Sequence, residues 1–216
     1  MKPKTTVRKK FIFRYTELRY LLEMLEQQKI TFLSPEKWDD KNDASLLLCS
    51  RQKSSLLAVC FTEALEAFHL WKGFSGGSNG RGVRIEFDKK KLIKSLKKKL
   101  PSLESGKVRY LRIKQLEKGK FRPEKLPFLK RLPYKDEAEF RIICEGNPKD
   151  RSPKSVPFDI SSIRRITLSP WMPDSERKIF VSAIHAIPGC AKIKVSSSTL
   201  IENERWAKAL VSKQKQ

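Results

Sequence analysis

The chain has 216 residues, with 47 Lys and Arg against 24 Asp and Glu, a net charge of +23. Hydrophobic residues make up 39% and recur in runs along the whole chain, which excludes an intrinsically disordered polymer. No apolar run approaches the roughly 18–20 residues of a membrane span, and collagen-like, coiled-coil and disulfide-scaffold compositions are excluded as well.

Residues 11–15, FIFRY, are aromatic and β-branched and predict a short strand. Thr16 is the expected cap of a following helix, on which Leu18, Leu21, Leu22 and Leu25 fall at helical spacing. Residues 30–33 predict a second strand, and 34–45 a polar loop anchored by Trp38. LLAVCF, 56–61, reads as a buried strand, and 63–72 as a helix ending in Trp71. GFSGGSNGRG, 73–82, is half glycine and predicts a structured loop or lid.

Residues 82–87 alternate as a strand, and Asp88 caps a basic helix over 89–99 that stops before Pro101. Strands follow at 107–113, 139–144 and 163–168, with irregular chain over 114–134. A helix over 175–186, a strand at 191–195 and a helix over 203–211 complete the order. The reading is α+β: one domain of short mixed or antiparallel strands with packed helices over 11–207. A basic N-terminal arm, 1–10, and a basic C-terminal tail, 208–216, flank it. Cys49, Cys60, Cys144 and Cys190 are scattered and form no CxxC pair, and there is no export signal. They read as reduced thiols of a cytoplasmic protein.

The charge is concentrated. Residues 89–135 hold 18 Lys and Arg against three acids, a net of +15. A surface of this kind attracts polyanions, nucleic acid first. Lys89, Lys90, Lys91, Lys94, Lys97, Lys98 and Lys99 are the expected nucleic-acid-binding residues, although the same run also reads as a solvated helix face. No zinc finger, RNA-recognition signature or helix-turn-helix accompanies them.

Three strand segments carry polar residues where apolar ones are the rule. Arg14 stands among aromatics and requires a partner, either a protein carboxylate or a ligand phosphate. Thr62 ends the LLAVCF strand. Glu137 and Glu139 lie two apart, so an extended chain places both carboxylates on one face roughly 6–7 Å from one another. A Glu139–Arg141 ion pair is the plain reading of that face. The sharper one gives a carboxylate to substrate orientation and another to a proton or a developing cation.

FRYTELRYLLEMLEQQKITFLSPEKWDDKND, LLAVCFTEALEAFHLWKGFSGGSNGRGVRIEFD and YKDEAEFRII together resemble the opening, centre and Glu-x-Glu block of the DUF2971 family. The tail, from RITLSPW through STLIENERW, fits as well. Tyr134 stands where that family favours Trp. The order Arg, Ser/Thr, Glu-x-Glu is in turn similar to the layout of ADP-ribosyltransferases, which split NAD at the nicotinamide–ribose bond, with Thr62 where that layout favours Ser. What this resemblance implies is a fold of that type with NAD as substrate. Arg14 would bind phosphate, Tyr15, Trp71 and Phe74 would belong to the cofactor-binding set, and Thr62 would orient. Glu139 would be catalytic, and Glu137 would position or deprotonate the acceptor. The resemblance also implies a conflict or phage-defence effector of bacteria.

Two other readings stand beside it. A basic module that binds nucleic acid without catalysis explains the charge alone. A metal-dependent nuclease would need carboxylates around an ion. Asp39, Asp40 and Asp43 are the candidates, but in that loop they also read as turn caps, and no metal is expected. His69 reads as a packed or surface residue.

Overall fold

The computed structural model describes residues 10–49, 55–74, 80–146 and 152–214. Eleven strands and seven α-helices follow in chain order among these residues. β1 (Phe11–Glu17), α1 (Leu18–Gln27) and β2 (Lys29–Phe32) lead to α2 (Lys41–Cys49) and β3 (Ser55–Thr62). Next come α3 (Phe68–Phe74), β4 (Gly82–Asp88), α4 (Lys89–Lys97), β5 (Glu104–Lys107), β6 (Arg109–Leu111) and α5 (Ile113–Lys118). β7 (Leu129–Arg131), β8 (Glu139–Gly146), β9 (Lys154–Pro157), β10 (Ile163–Leu168), α6 (Asp174–Ala186), β11 (Lys194–Ser197) and α7 (Glu204–Gln214) complete the chain.

Seven strands form one mixed sheet in the order β11-β10-β4-β1-β3-β8-β5, and β2–β9 and β6–β7 form two small pairs. This is the expected α+β arrangement. β1 pairs with β4 along its whole length, from Phe11 opposite Asp88 to Glu17 opposite Gly82. It meets β3 only at Phe13 opposite Thr62. Farther along β3, Ala58 bridges instead to Leu33, just past β2. The sheet is therefore two leaves joined at one residue pair, with a split between β1 and β3.

Strand alternation gives the two faces different work. Ile12, Val59, Phe61, Ile85, Phe87 and Ile142 point to one face, where Leu21 and Leu25 of α1, Leu92 and Leu96 of α4 and Ile184 of α6 cover them. The other face holds two smaller clusters. Leu56, Ala58 and Ile143 pack with Leu47 and Phe128, and Tyr15 packs with Leu70 and Trp71. Phe13, Tyr15, Cys60, Thr62, Glu139 and Arg141 share this second face, because they alternate with residues of the main core.

Several local expectations change. Thr16 lies inside β1 and caps nothing; α1 begins at Leu18 with no side-chain cap. The predicted polar loop 34–45 contains a 3-10 turn and the start of α2, nucleated where Asp40 Oδ1 accepts from the Asn42 and Asp43 N–H groups. The helix predicted from 63 starts only at Phe68. The strand predicted over 107–113 breaks into β5 and β6, because the Val108 N–H donates to the Glu139 carbonyl between them. β9 was not anticipated, and β11 starts at Lys194 rather than 191. Asp88 does cap α4, accepting from the Lys91 N–H at 3.1 Å. The glycine-rich core 75–79, most of the N-terminal arm and the last two residues of the tail lie outside the described residues.

Candidate active site

A cleft of about 610 Å³ opens on the second face where the two leaves part. Its floor is Phe13 and Tyr15 of β1, Cys60 and Thr62 of β3, and Glu139 of β8. Leu70, Gly73 and Phe74 of α3 form one wall, and Trp38, Asp39, Asp40 and Asp43 another. Lys130, Tyr134 and Glu137 close the third side. These residues include five aromatics and five carboxylates.

The carboxylates are organised by two cations. Arg141, fully buried beneath the cleft, takes Asp43 bidentately at 2.7 and 3.1 Å and Glu139 bidentately at 2.7 and 2.9 Å. Its remaining N–H donates to the Pro127 carbonyl at 2.8 Å. Lys130 Nζ reaches Glu137 at 2.6 Å, Glu139 at 3.2 Å and Asp43 at 3.5 Å. Five acids against two cations leave a formal −3 in a protein whose total is +23.

The two Glu-x-Glu carboxylates differ. Glu139 is 6% exposed. Burial pushes its carboxyl up, but the Arg141 charge and hydrogen bonds, with Lys130, outweigh this and hold it below the ordinary carboxylate range. It stays anionic. Glu137, whose side chain is 18% exposed, is pushed above its ordinary value by burial, only partly offset by Lys130. Among the described residues its second oxygen takes no hydrogen bond. The Cys60 thiol is pushed well up by burial and by Glu139, so it stays protonated. Burial also pushes the Tyr110 phenol up to about 12, and its oxygen accepts from the Glu139 N–H at 2.7 Å.

The expected extended Glu137–Glu139 segment is not extended. Glu137 ends a 3-10 turn, Ala138 is left-handed at φ 44°, and β8 begins at Glu139. The carboxylates converge through Lys130 instead. Thr62 holds this turn: its hydroxyl donates to the Glu137 carbonyl at 2.5 Å and accepts from the Ala64 N–H at 2.9 Å. The plain Glu139–Arg141 ion pair is present.

Of the residues singled out in the sequence, Tyr15, Thr62, Phe74, Glu137 and Glu139 line the cleft, as do Asp39, Asp40 and Asp43. Trp71 does not; it is fully buried, packs edge-on against Tyr15 at 5.0 Å and donates to Glu66 at 2.9 Å, so it braces Tyr15. Arg14 does not line the cleft either. Alternation puts it with Ile12, facing away from Phe13 and Tyr15, and burial lowers its pKa. Sequence reasoning passed over Lys130, one lysine in a basic segment, and Arg84, which the β1–β4 register sets opposite Tyr15. His69 is exposed.

Lys90, Lys91, Lys94, Lys97, Lys98 and Lys99 are exposed on α4 and the turn after it. Lys89 is set apart, paired to Glu63 at 2.7 Å and lying over the Phe140 ring. Leu92 and Leu96 seat α4 on the main core, so these lysines lie across the sheet from the cleft. The end of the segment 108–137 lies at the cleft, where it supplies Lys130, Tyr134 and Glu137, and the segment exposes nine further Lys and Arg. Among the described residues no group of three or more His, Cys, Asp or Glu is arranged to hold a metal ion. Nor is any helix long and apolar enough to cross a membrane.

No family model matches the chain, the DUF2971 model included, and no curated protein matches it. Among solved structures it is similar to DarT from Thermus sp. 2.9 in complex with NAD+, at 12% identity and a TM-score of 0.47, over 92% of this chain and 98% of that one. The same protein in complex with ADP-ribosylated ssDNA gives 12% identity and a TM-score of 0.49 over the same shares of the two chains.

Proposed function

We propose that this chain is an NAD-dependent ADP-ribosyltransferase, of the kind the DUF2971-like motifs imply, acting on a nucleic acid in the cytoplasm, as a phage-defence effector would. The observation that carries the reading is an aromatic-lined cleft of net negative charge inside a strongly basic protein. Such a cleft suits a planar cation. Nicotinamide in NAD is a pyridinium, and aromatic faces attract it through their quadrupole. The ribose left behind becomes cationic in the transition state, and fixed carboxylates stabilise it without reorganising.

Glu139, kept ionised by Arg141 and Lys130, supplies the fixed negative charge beside the ribose. Glu137, with its raised pKa and open oxygen, handles the proton. Phe74 and Tyr15 flank the ring, and Thr62 keeps the Glu137–Glu139 turn in place. The C1′–N bond breaks with its electrons going to the pyridinium nitrogen, releasing neutral nicotinamide. A lone pair of the acceptor forms the new bond at C1′, and the acceptor's proton passes to Glu137. NAD is consumed as substrate, and no metal takes part. The basic segment 108–137 brings the polyanionic acceptor to the cleft mouth.

The test is incubation of the protein with adenylate-labelled NAD and a mixture of ssDNA, RNA and cell protein. Label on nucleic acid together with free nicotinamide, both lost in Glu137→Gln, is the expected result. No NAD binding and no turnover would sink the reading. That outcome favours the second reading, a non-enzymatic nucleic-acid-binding module, for which the specific observation is the exposed α4 lysine face.

A further inference from the structure

Arg84 lies in mid-β4 on the cleft face of the sheet, opposite Tyr15 of β1 and Thr167 of β10. It is 8% exposed, yet it forms no ion pair among the described residues, and its Nε is buried without a hydrogen-bond partner. Its guanidinium lies 3.8 Å from the centroid of the Phe13 ring and 5.9 Å from that of Tyr15, the two aromatics on the cleft floor. Glu66, the acid near Tyr15, commits its Oε1 to Trp71 and Ser198.

A buried cation with no carboxylate is costly, and stacking on two rings recovers only part of what water supplied. Native proteins leave few such groups unsatisfied, and each one left calls for an explanation such as strain, catalysis or a bound water or ion. An arginine fork matches the oxygens of a phosphate bidentately.

We propose that Arg84 is an anion-binding residue that extends the cleft past Phe13 and Tyr15 and takes the diphosphate of a nucleotide substrate. Arg14 alternates to the opposite face of β1 and does not line the cleft. Naming the diphosphate as that of NAD rests on the transferase reading; the anion site itself does not.

Calorimetric titration of the purified chain with ADP, inorganic pyrophosphate and nicotinamide tests this. Wild type binds all three. Arg84→Met weakens ADP and pyrophosphate at least tenfold, leaves nicotinamide unchanged, and keeps or raises the melting temperature of the unliganded protein, because an unpaired buried charge is gone. Arg84→Lys, which keeps the charge without the fork, weakens pyrophosphate several-fold at an unchanged melting temperature. This second variant also carries the test should the first fail to fold. Arg14→Gln leaves all three affinities intact.

Wild type that binds neither ADP nor pyrophosphate overturns the proposal. So does an Arg84→Met protein that binds them normally, or an Arg14→Gln protein that alone loses them. Arg84-dependent ADP binding without NAD turnover keeps the anion site and sinks the transferase. NAD turnover with an unchanged KM in Arg84→Met does the reverse.

Discussion

Two arginines on the same sheet face have opposite fates. Arg141 is completely buried and gives its five N–H groups to five acceptors on Glu139, Asp43 and Pro127. Arg84, nearly as buried, has the Phe13 ring and the Tyr15 phenol for neighbours and, among the described residues, an Nε without a partner. The first has no capacity left for a ligand, so its role is to hold the carboxylates of the β8 side in place. The second keeps an unpartnered Nε–H, so a ligand from outside completes its environment. Burial alone therefore does not distinguish a structural charge from a binding one; saturation does.

The largest expected effect attacks the saturated side. Arg141→Met leaves the buried Asp43 and Glu139 to share Lys130, which is already paired to Glu137, and costs about 3–5 kcal/mol in urea unfolding. A loss below about 1 kcal/mol would show that the network is not what holds this side together.

A change of pH separates the two carboxylates. The folded pKa of Glu137 is raised, so its charge costs stability at neutral pH, and that cost is relieved as pH falls through the folded value. The folded pKa of Glu139 is lowered, so its contribution is present above the ordinary carboxylate range and is lost only as pH falls through the depressed value. Melting curves from pH 7 to 3 should therefore place Glu137→Gln at or above wild type at pH 7 and Glu139→Gln below it. The opposite order would reverse the roles given to them.

Thr62→Val removes a donor to the Glu137 carbonyl and an acceptor for Ala64, at a cost of about 1–2 kcal/mol. Because the turn loosens without any loss of ring contacts, kcat should fall with KM for NAD little changed. The smallest effect belongs to the far face. Lys94→Glu with Lys97→Glu should change stability by less than about 0.5 kcal/mol and leave NAD turnover unaltered. Reversing the exposed Arg131 and Lys135, which flank the cleft residues Lys130 and Tyr134, should raise KM for a nucleic-acid acceptor, most strongly at low salt. Equal effects from both faces would mean that the acceptor wraps the molecule.

Much of the frame was legible in the chain. Residues 163–168 form a strand at the predicted limits, and Asp88 caps α4 as its spacing requires. These are local: a two-residue alternation or a side chain reaching three residues ahead needs no partner element. α2 escaped because KNDASLLLC has a polar first turn that reads as loop, and only the Asp40 cap and packing of Leu47 on the sheet settle it. Thr62 and Glu139 were visible as polar residues at the ends of apolar strands. Arg14 was visible for the same reason, but one-residue alternation sends it to the opposite face from its neighbours.

The sequence by itself determined the class of the protein, its basic surface, most strand and helix positions, and the Glu-x-Glu and Arg141 pairing, since each depends on residues within a few positions of one another. Only the tertiary structure decided that Asp43, 98 residues away, meets Arg141, that Lys130 bridges three carboxylates, and that Arg84 rather than Arg14 shares a face with the cleft. The reason is physical. Strand register and the split between β1 and β3 are set by pairings between distant segments, and a guanidinium's partners are fixed by which of those segments fold beside it.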